Sequence, residues 1–145
     1  MMARNRMAEH TILAVFPVGE DRSALEIIFG QSDWRLQFAE TFQEAQTHLR
    51  TSLVRVVISE GTLPDGRTWK DLLGELQELP NPLPLIVADR LADERLWAEV
   101  LNLGGYDLLM KPFDAREVLH AVTTASGFRS SQRTTLTKSA AHGVD

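Results

Sequence analysis

The sequence has no cysteine, which excludes disulfides, thiolate nucleophiles and cysteine-based metal sites. Histidine is sparse: His10, His48, His120 and His142 lie far apart and match no metal-ligand spacing. A single glycine, Gly19, stands in "FPVGEDRSA" after the first apolar run, so the glycine-rich loop that cradles phosphates is missing there. Positive charge is in deficit. The 145-residue chain carries 15 Lys and Arg against 20 Asp and Glu, a net charge of −5, which offers a phosphate backbone no electrostatic footprint. No apolar run approaches the ~20 residues of a membrane helix. "MMARNRMAEH" reads as a ragged, flexible N-terminus, because no A-x-A-like cleavage site follows it. These absences lead us to expect a cytoplasmic chain with no nucleic-acid or membrane partner.

What is present is the composition of an ordinary globular domain, 43% apolar and 24% charged. A chain of this length buries about 70% of its unfolded surface around one core. Strand and helix patterns alternate five times. "TILAVF" (Thr11–Phe16), "LVRVVIS" (Leu53–Ser59) and "LPLIVA" (Leu83–Ala88) are nearly continuous apolar runs, as strands covered on both faces should be. "WRLQF" (Trp34–Phe38) alternates, which suits an edge strand, and "YDLLM" (Tyr106–Met110) is the fifth. Apolar stripes at helical spacing follow: Leu25, Ile28 and Phe29; Phe42, Ala45 and Leu49; Trp69, Leu72, Leu73 and Leu76; Leu96, Trp97, Val100 and Leu101; and Val118, Ala121, Val122 and Ala125. Thr41-x-x-Glu44 reads as a capping box, and Asp114 with Glu117 opens the last helix. Five β–α units in series predict an α/β fold: a flavodoxin-like (βα)5 three-layer sandwich with a parallel five-stranded sheet in the order 2-1-3-4-5. The expected domain runs over 11–129, between a flexible N-terminus (1–10) and a polar, mobile tail (130–145).

In this fold ligands lie outside the carboxyl ends of the strands. The residues there are Phe16-Pro17, Glu60, Asp89 and Lys111, so two carboxylates and one ammonium should converge on one crevice. Pro112 restricts Lys111 to extended geometry, which aims its side chain across the strand ends. Pro64-Asp65-Gly66 fits a type I turn, so Asp65 is expected to serve turn and helix-cap chemistry.

The "LPDG" turn four residues after a strand-end acid, "LNLGGYDLLMKPFD" near the end and the five-unit rhythm resemble the receiver domain of two-component response regulators, over roughly 11–129. The resemblance implies a non-enzymatic signalling module that takes a phosphoryl group from a histidine kinase onto an aspartate after the third strand. It also implies Mg²⁺ held by an acidic pair after the first strand, a Ser or Thr after the fourth strand and a lysine after the fifth. This chain departs from that pattern. The acidic pair falls on Phe16 and Pro17, which have no side-chain oxygen, the phospho-acceptor on Glu60, the hydroxyl on Asp89 and the aromatic switch on Leu108; Lys111 alone matches. Mg²⁺ demands octahedral oxygen coordination, so its site is expected to be lost and no metal or other cofactor is expected.

Glu60 has two readings. It can pair with Lys111, at about 4 kcal/mol for 4 Å and an effective dielectric near 20 before desolvation, and hold the domain in an activated-like arrangement. Or it is a solvated strand-end carboxylate whose pairing contributes little. Asp89 can compete for Lys111, or pair with Arg90 or face water. Glu20 and Asp21 fall in the first turn of the first helix, where they suit its dipole. Trp69 and Trp97 are expected in the core, and Phe16-Pro17 is expected to plug the crevice. The resulting expectation is a degenerate receiver acting as a phosphorylation-independent interaction module. Its partner would be a histidine kinase, an effector or a second copy, met on the face made by the fourth helix, fifth strand and last helix through Arg95, Glu99, Arg116 and Glu117. Two alternatives stand beside it: a receiver still phosphorylated on Glu60 or a nearby aspartate, which needs Glu20 or Asp21 to reach back and supply metal ligands, and a flavodoxin-like nucleotide-binding protein or enzyme.

Overall fold

The computed structural model describes residues 10–127; the tail at 130–145 and nearly all of the N-terminal stretch 1–10 lie outside them. The elements run β1 (Thr11–Val15), α1 (Glu20–Gly30), β2 (Arg35–Ala39), α2 (Phe42–Thr51), β3 (Val56–Glu60), α3 (Trp69–Gln77), β4 (Leu85–Asp89), α4 (Glu94–Leu103), β5 (Asp107–Met110) and α5 (115–127). All strand pairs are parallel and the sheet order is β2-β1-β3-β4-β5. The expected fold class and strand order therefore hold.

Period-2 geometry sorts the strand side chains into two cores. Leu13, Val15, Val57, Leu85 and Val87 face α2, α3 and α4. Ile12, Ala14, Val56, Ile58, Ile86, Ala88 and Leu109 face α1 and α5, from which Leu25, Phe29, Val118, Ala121, Val122 and Ala125 pack back. Every residue of β1, and all but the last of β3 and β4, is buried, as the continuous apolar runs require. β2 is the alternating edge strand, displaced by one residue from the expected boundaries.

Helix α4 corrects one expectation. Val100 is buried and Leu96 packs on the core, but Trp97 is 49% exposed. The helix lies at the edge of the sheet against the four-residue strand β5, so part of its apolar arc projects beyond the sheet. Trp69, on the better-covered α3, is buried as expected. The Thr41 box is also only half formed: Thr41 accepts from the Glu44 amide at 3.1 Å, while Glu44 accepts from Glu40 and not from Thr41 itself. A complete box caps α3 instead, between Thr68 and Asp71.

Candidate functional site

The strand register places Glu60, at the last position of β3, opposite Ala88 on β4, with Asp89 one step beyond. β5 ends at Met110, so Lys111 emerges beside them, and its amide donates to the Asp89 carbonyl at 3.3 Å. The Lys111–Pro112 peptide is cis. The Lys111 side chain turns across the strand ends and is only 4% exposed.

Its ammonium has two partners. One is Glu60, through Oε1; the other is Asp21, through Oδ2 at 2.9 Å. Burial pushes the lysine toward its neutral form, but the hydrogen bonds it donates to Glu60 and then Asp21 outweigh that and hold its pKa above the ordinary lysine value. Of the two readings of Glu60, the geometry selects the Lys111 pair.

Asp21, which the sequence places at the start of the first helix and in the crevice only if it reaches back, does reach it. It does lie in the first turn of α1, yet the short connection from Val15 to Glu20 brings that turn back over the strand ends. Two acids opening the helix after the first strand were the available signal, since that helix terminus faces the crevice in any βα unit.

Phe16 is fully buried beneath this group. Its ring meets Phe113 edge-on at 6.1 Å and lies 5.9 Å from the Lys111 nitrogen. Pro17 is half-buried, and Arg22 from α1 donates to the Phe16 carbonyl at 3.0 Å. The expected apolar plug is therefore in place through Phe16. The Asp89 carboxylate does not bind the Lys111 ammonium and is in no salt bridge among the described residues: its Oδ1 accepts from the Leu91 amide at 2.8 Å. Its other oxygen would lie 2.5 Å from a Cβ at residue 61, a space that Gly61 leaves open.

Asp65 is a cap, though not for its own helix. It accepts from the Phe42 and Gln43 amides at 3.3 and 3.4 Å, at the start of α2. Leu108 and Met110 border a groove against α4. On that face Arg95, Arg116 and Glu117 are exposed, whereas Glu99 bonds Lys70 of α3 at 2.6 Å and points away. Among the described residues no three carboxylate or imidazole groups are arranged to hold a metal ion together. No helix among them is long and apolar enough to cross a membrane.

No family model matches the chain, and no curated protein matches it. Solved structures do. The signal receiver domain of an HD domain-containing protein from Pseudomonas fluorescens matches with a TM-score of 0.73 and 28% identity, over 83% of this chain and 97% of that one. A CheY-like response regulator receiver domain protein from Methanospirillum hungatei matches at 0.72 and 19%, over 84% and 97%. The NtrC4 receiver domain, solved as a beryllofluoride-activated dimer, matches at 0.73 and 20%, over 83% and 98%. The chain has the fold of a CheY-like response-regulator receiver domain.

Proposed function

We propose that the chain is a receiver-type module of two-component signalling that works without Mg²⁺-dependent phosphorylation, as a cytoplasmic, non-enzymatic interaction domain. The observation that carries this reading is the occupancy of Lys111. Its ammonium is satisfied by Glu60 and Asp21, with the Phe16 ring filling the floor beneath. A lysine that would otherwise neutralise an incoming phosphoryl group already has two carboxylate partners.

The residues present do not fit Mg²⁺. Phe16 and Pro17 supply no side-chain oxygen, and the two carboxylates near the crevice floor are both bound to Lys111. A hard cation needs several oxygens at near-octahedral angles and would have to displace the lysine to obtain two. Asp89 adds negative charge at the rim, which opposes a phosphoryl donor. Output then goes through a partner, on the face of α4, β5 and α5.

One observation favours a second reading. Asp21 reaches the crevice beside Glu60, which is the placement an active receiver lacking the usual acidic pair would need. The same experiment separates the two: intact mass after incubation with acetyl phosphate and Mg²⁺, on the wild type and on Glu60→Ala. The proposal expects no phosphoryl adduct on folded wild type. An adduct that Glu60→Ala abolishes would overturn it.

A further inference from the structure

A groove of about 370 Å³ lies between α4 and β5, lined chiefly by Asp93, Glu94, Trp97, Leu108, Met110 and Glu117. Its apolar side is unusually open, with Trp97 49% and Met110 54% exposed. Its charged side has one sign only. Asp93 caps α4 through one oxygen, accepting from the Leu96 amide at 2.9 Å. Neither Glu94 nor Glu117 is in a salt bridge among the described residues. Two other grooves lack this combination: one at the α1–β2 edge has the single carboxylate of Glu26, and one around Leu53 and Leu83 has none. Arg95 and Arg116 neighbour these acids in sequence but do not line the groove.

An apolar floor ringed by carboxylates selects its occupant by charge. A second copy related by a twofold axis would set the same acids against themselves, because such an interface presents one patch to itself. A cationic segment has the opposite balance: its charges meet Asp93, Glu94 and Glu117, and a lysine or arginine can also lie on the exposed Trp97 face. We propose that this groove receives a segment of a partner protein in which a bulky apolar side chain is flanked by lysine or arginine. The proposal rests on the reading of the chain as a partner-binding module and gives that partner its chemistry. The groove is lined by seven residues, against the roughly 20–30 a side of a standard interface, so this contact is weak and salt-sensitive when made alone.

The probe is a short amphipathic peptide of leucine and lysine, with a matched peptide carrying glutamate in place of lysine. Each is titrated into the full chain, without phosphodonor, while the amide and indole signals are followed by NMR. The lysine peptide should shift the Trp97 indole and the Leu108 and Met110 amides, and the glutamate peptide should not. Glu94→Gln with Glu117→Gln should weaken binding roughly tenfold, the loss of about 1.4 kcal/mol. Glu26→Gln with Glu78→Gln, which changes net charge equally at exposed sites outside the groove, should leave binding unchanged. Circular dichroism establishes that each variant is folded. Absent shifts, equal binding of both peptides, or equal loss in both charge-matched pairs would overturn the proposal. So would a dimer of the chain alone, seen by sedimentation and abolished by Trp97→Ala. A phosphoryl adduct in the mass experiment would overturn the proposed function while leaving this result standing.

Discussion

Lys111 is 7% exposed and faces two carboxylates whose side chains are each 24% exposed. The asymmetry decides what its removal costs. The acids keep some water, the lysine has almost none, and without the ammonium Asp21 and Glu60 are left repelling each other at the floor of the crevice. Breaking a fully buried pair costs about 3–5 kcal/mol, so partial hydration here places Lys111→Met near 2–3 kcal/mol. Urea unfolding should show this as a lower midpoint with an unchanged slope. Adding Glu60→Gln to Lys111→Met should return about 1 kcal/mol, because it removes one of the two stranded charges. A double variant less stable than Lys111→Met alone would mean that Glu60 is held by something other than the lysine. Phe16 belongs to the same balance. A ring occupies the site below the ammonium, where a carboxylate at that position would have competed with Asp21 and Glu60 for the one cation.

At the scale of elements, the loop after β3 ties two helices to one turn. The Leu63–Gly66 segment closes with the Gly66 amide donating to Leu63 at 3.2 Å, and Gly66 takes φ +81°, a conformation costly for a side chain. The turn presents Asp65 to the N-terminus of α2, while Thr68 and Asp71 cap α3. Asp65→Ala should therefore destabilise by about 1 kcal/mol, the usual value of a lost N-terminal cap. Hydrogen exchange should quicken at the Phe42 and Gln43 amides and stay unchanged in the first turn of α3. Faster exchange at α3 would place the cap where a local reading puts it. The strands were legible in the sequence because burial on both faces writes an unbroken apolar run, and the α3 stripe because one helix face meets the sheet squarely. The Asp65 cap was legible only as a residue type, since its partners lie 23 and 22 positions away and no local pattern encodes them. Trp97 misled for a related reason: helical spacing marks an apolar arc but not how much of it the sheet edge covers.

Across the whole molecule, one side chain joins three elements: α1 through Asp21, β3 through Glu60 and the end of β5 through Lys111 itself. Two of these positions were readable because strand ends are fixed by the sheet, whose order follows from the strand types. Asp21 was not, because a helix-borne residue reaches the crevice only if the preceding loop returns the first turn over the strands. That joint makes global stability depend on the protonation of Lys111. Its hydrogen bonds to the two carboxylates raise its folded pKa despite burial, so the native state binds the proton more tightly than the unfolded chain does. The stabilisation is therefore fully present below the ordinary lysine value of about 10.4 and is lost as pH rises through the higher folded value. The readout is the difference between wild type and Lys111→Met, which cancels every contribution the two share. Denaturant unfolding from about pH 8 to about pH 11.5 should show that difference constant at first and shrinking above about 10.4. A difference that stays level to the alkaline end would mean that Asp21 and Glu60 do not set the lysine's proton affinity, and that the three elements are joined by packing around Phe16 instead.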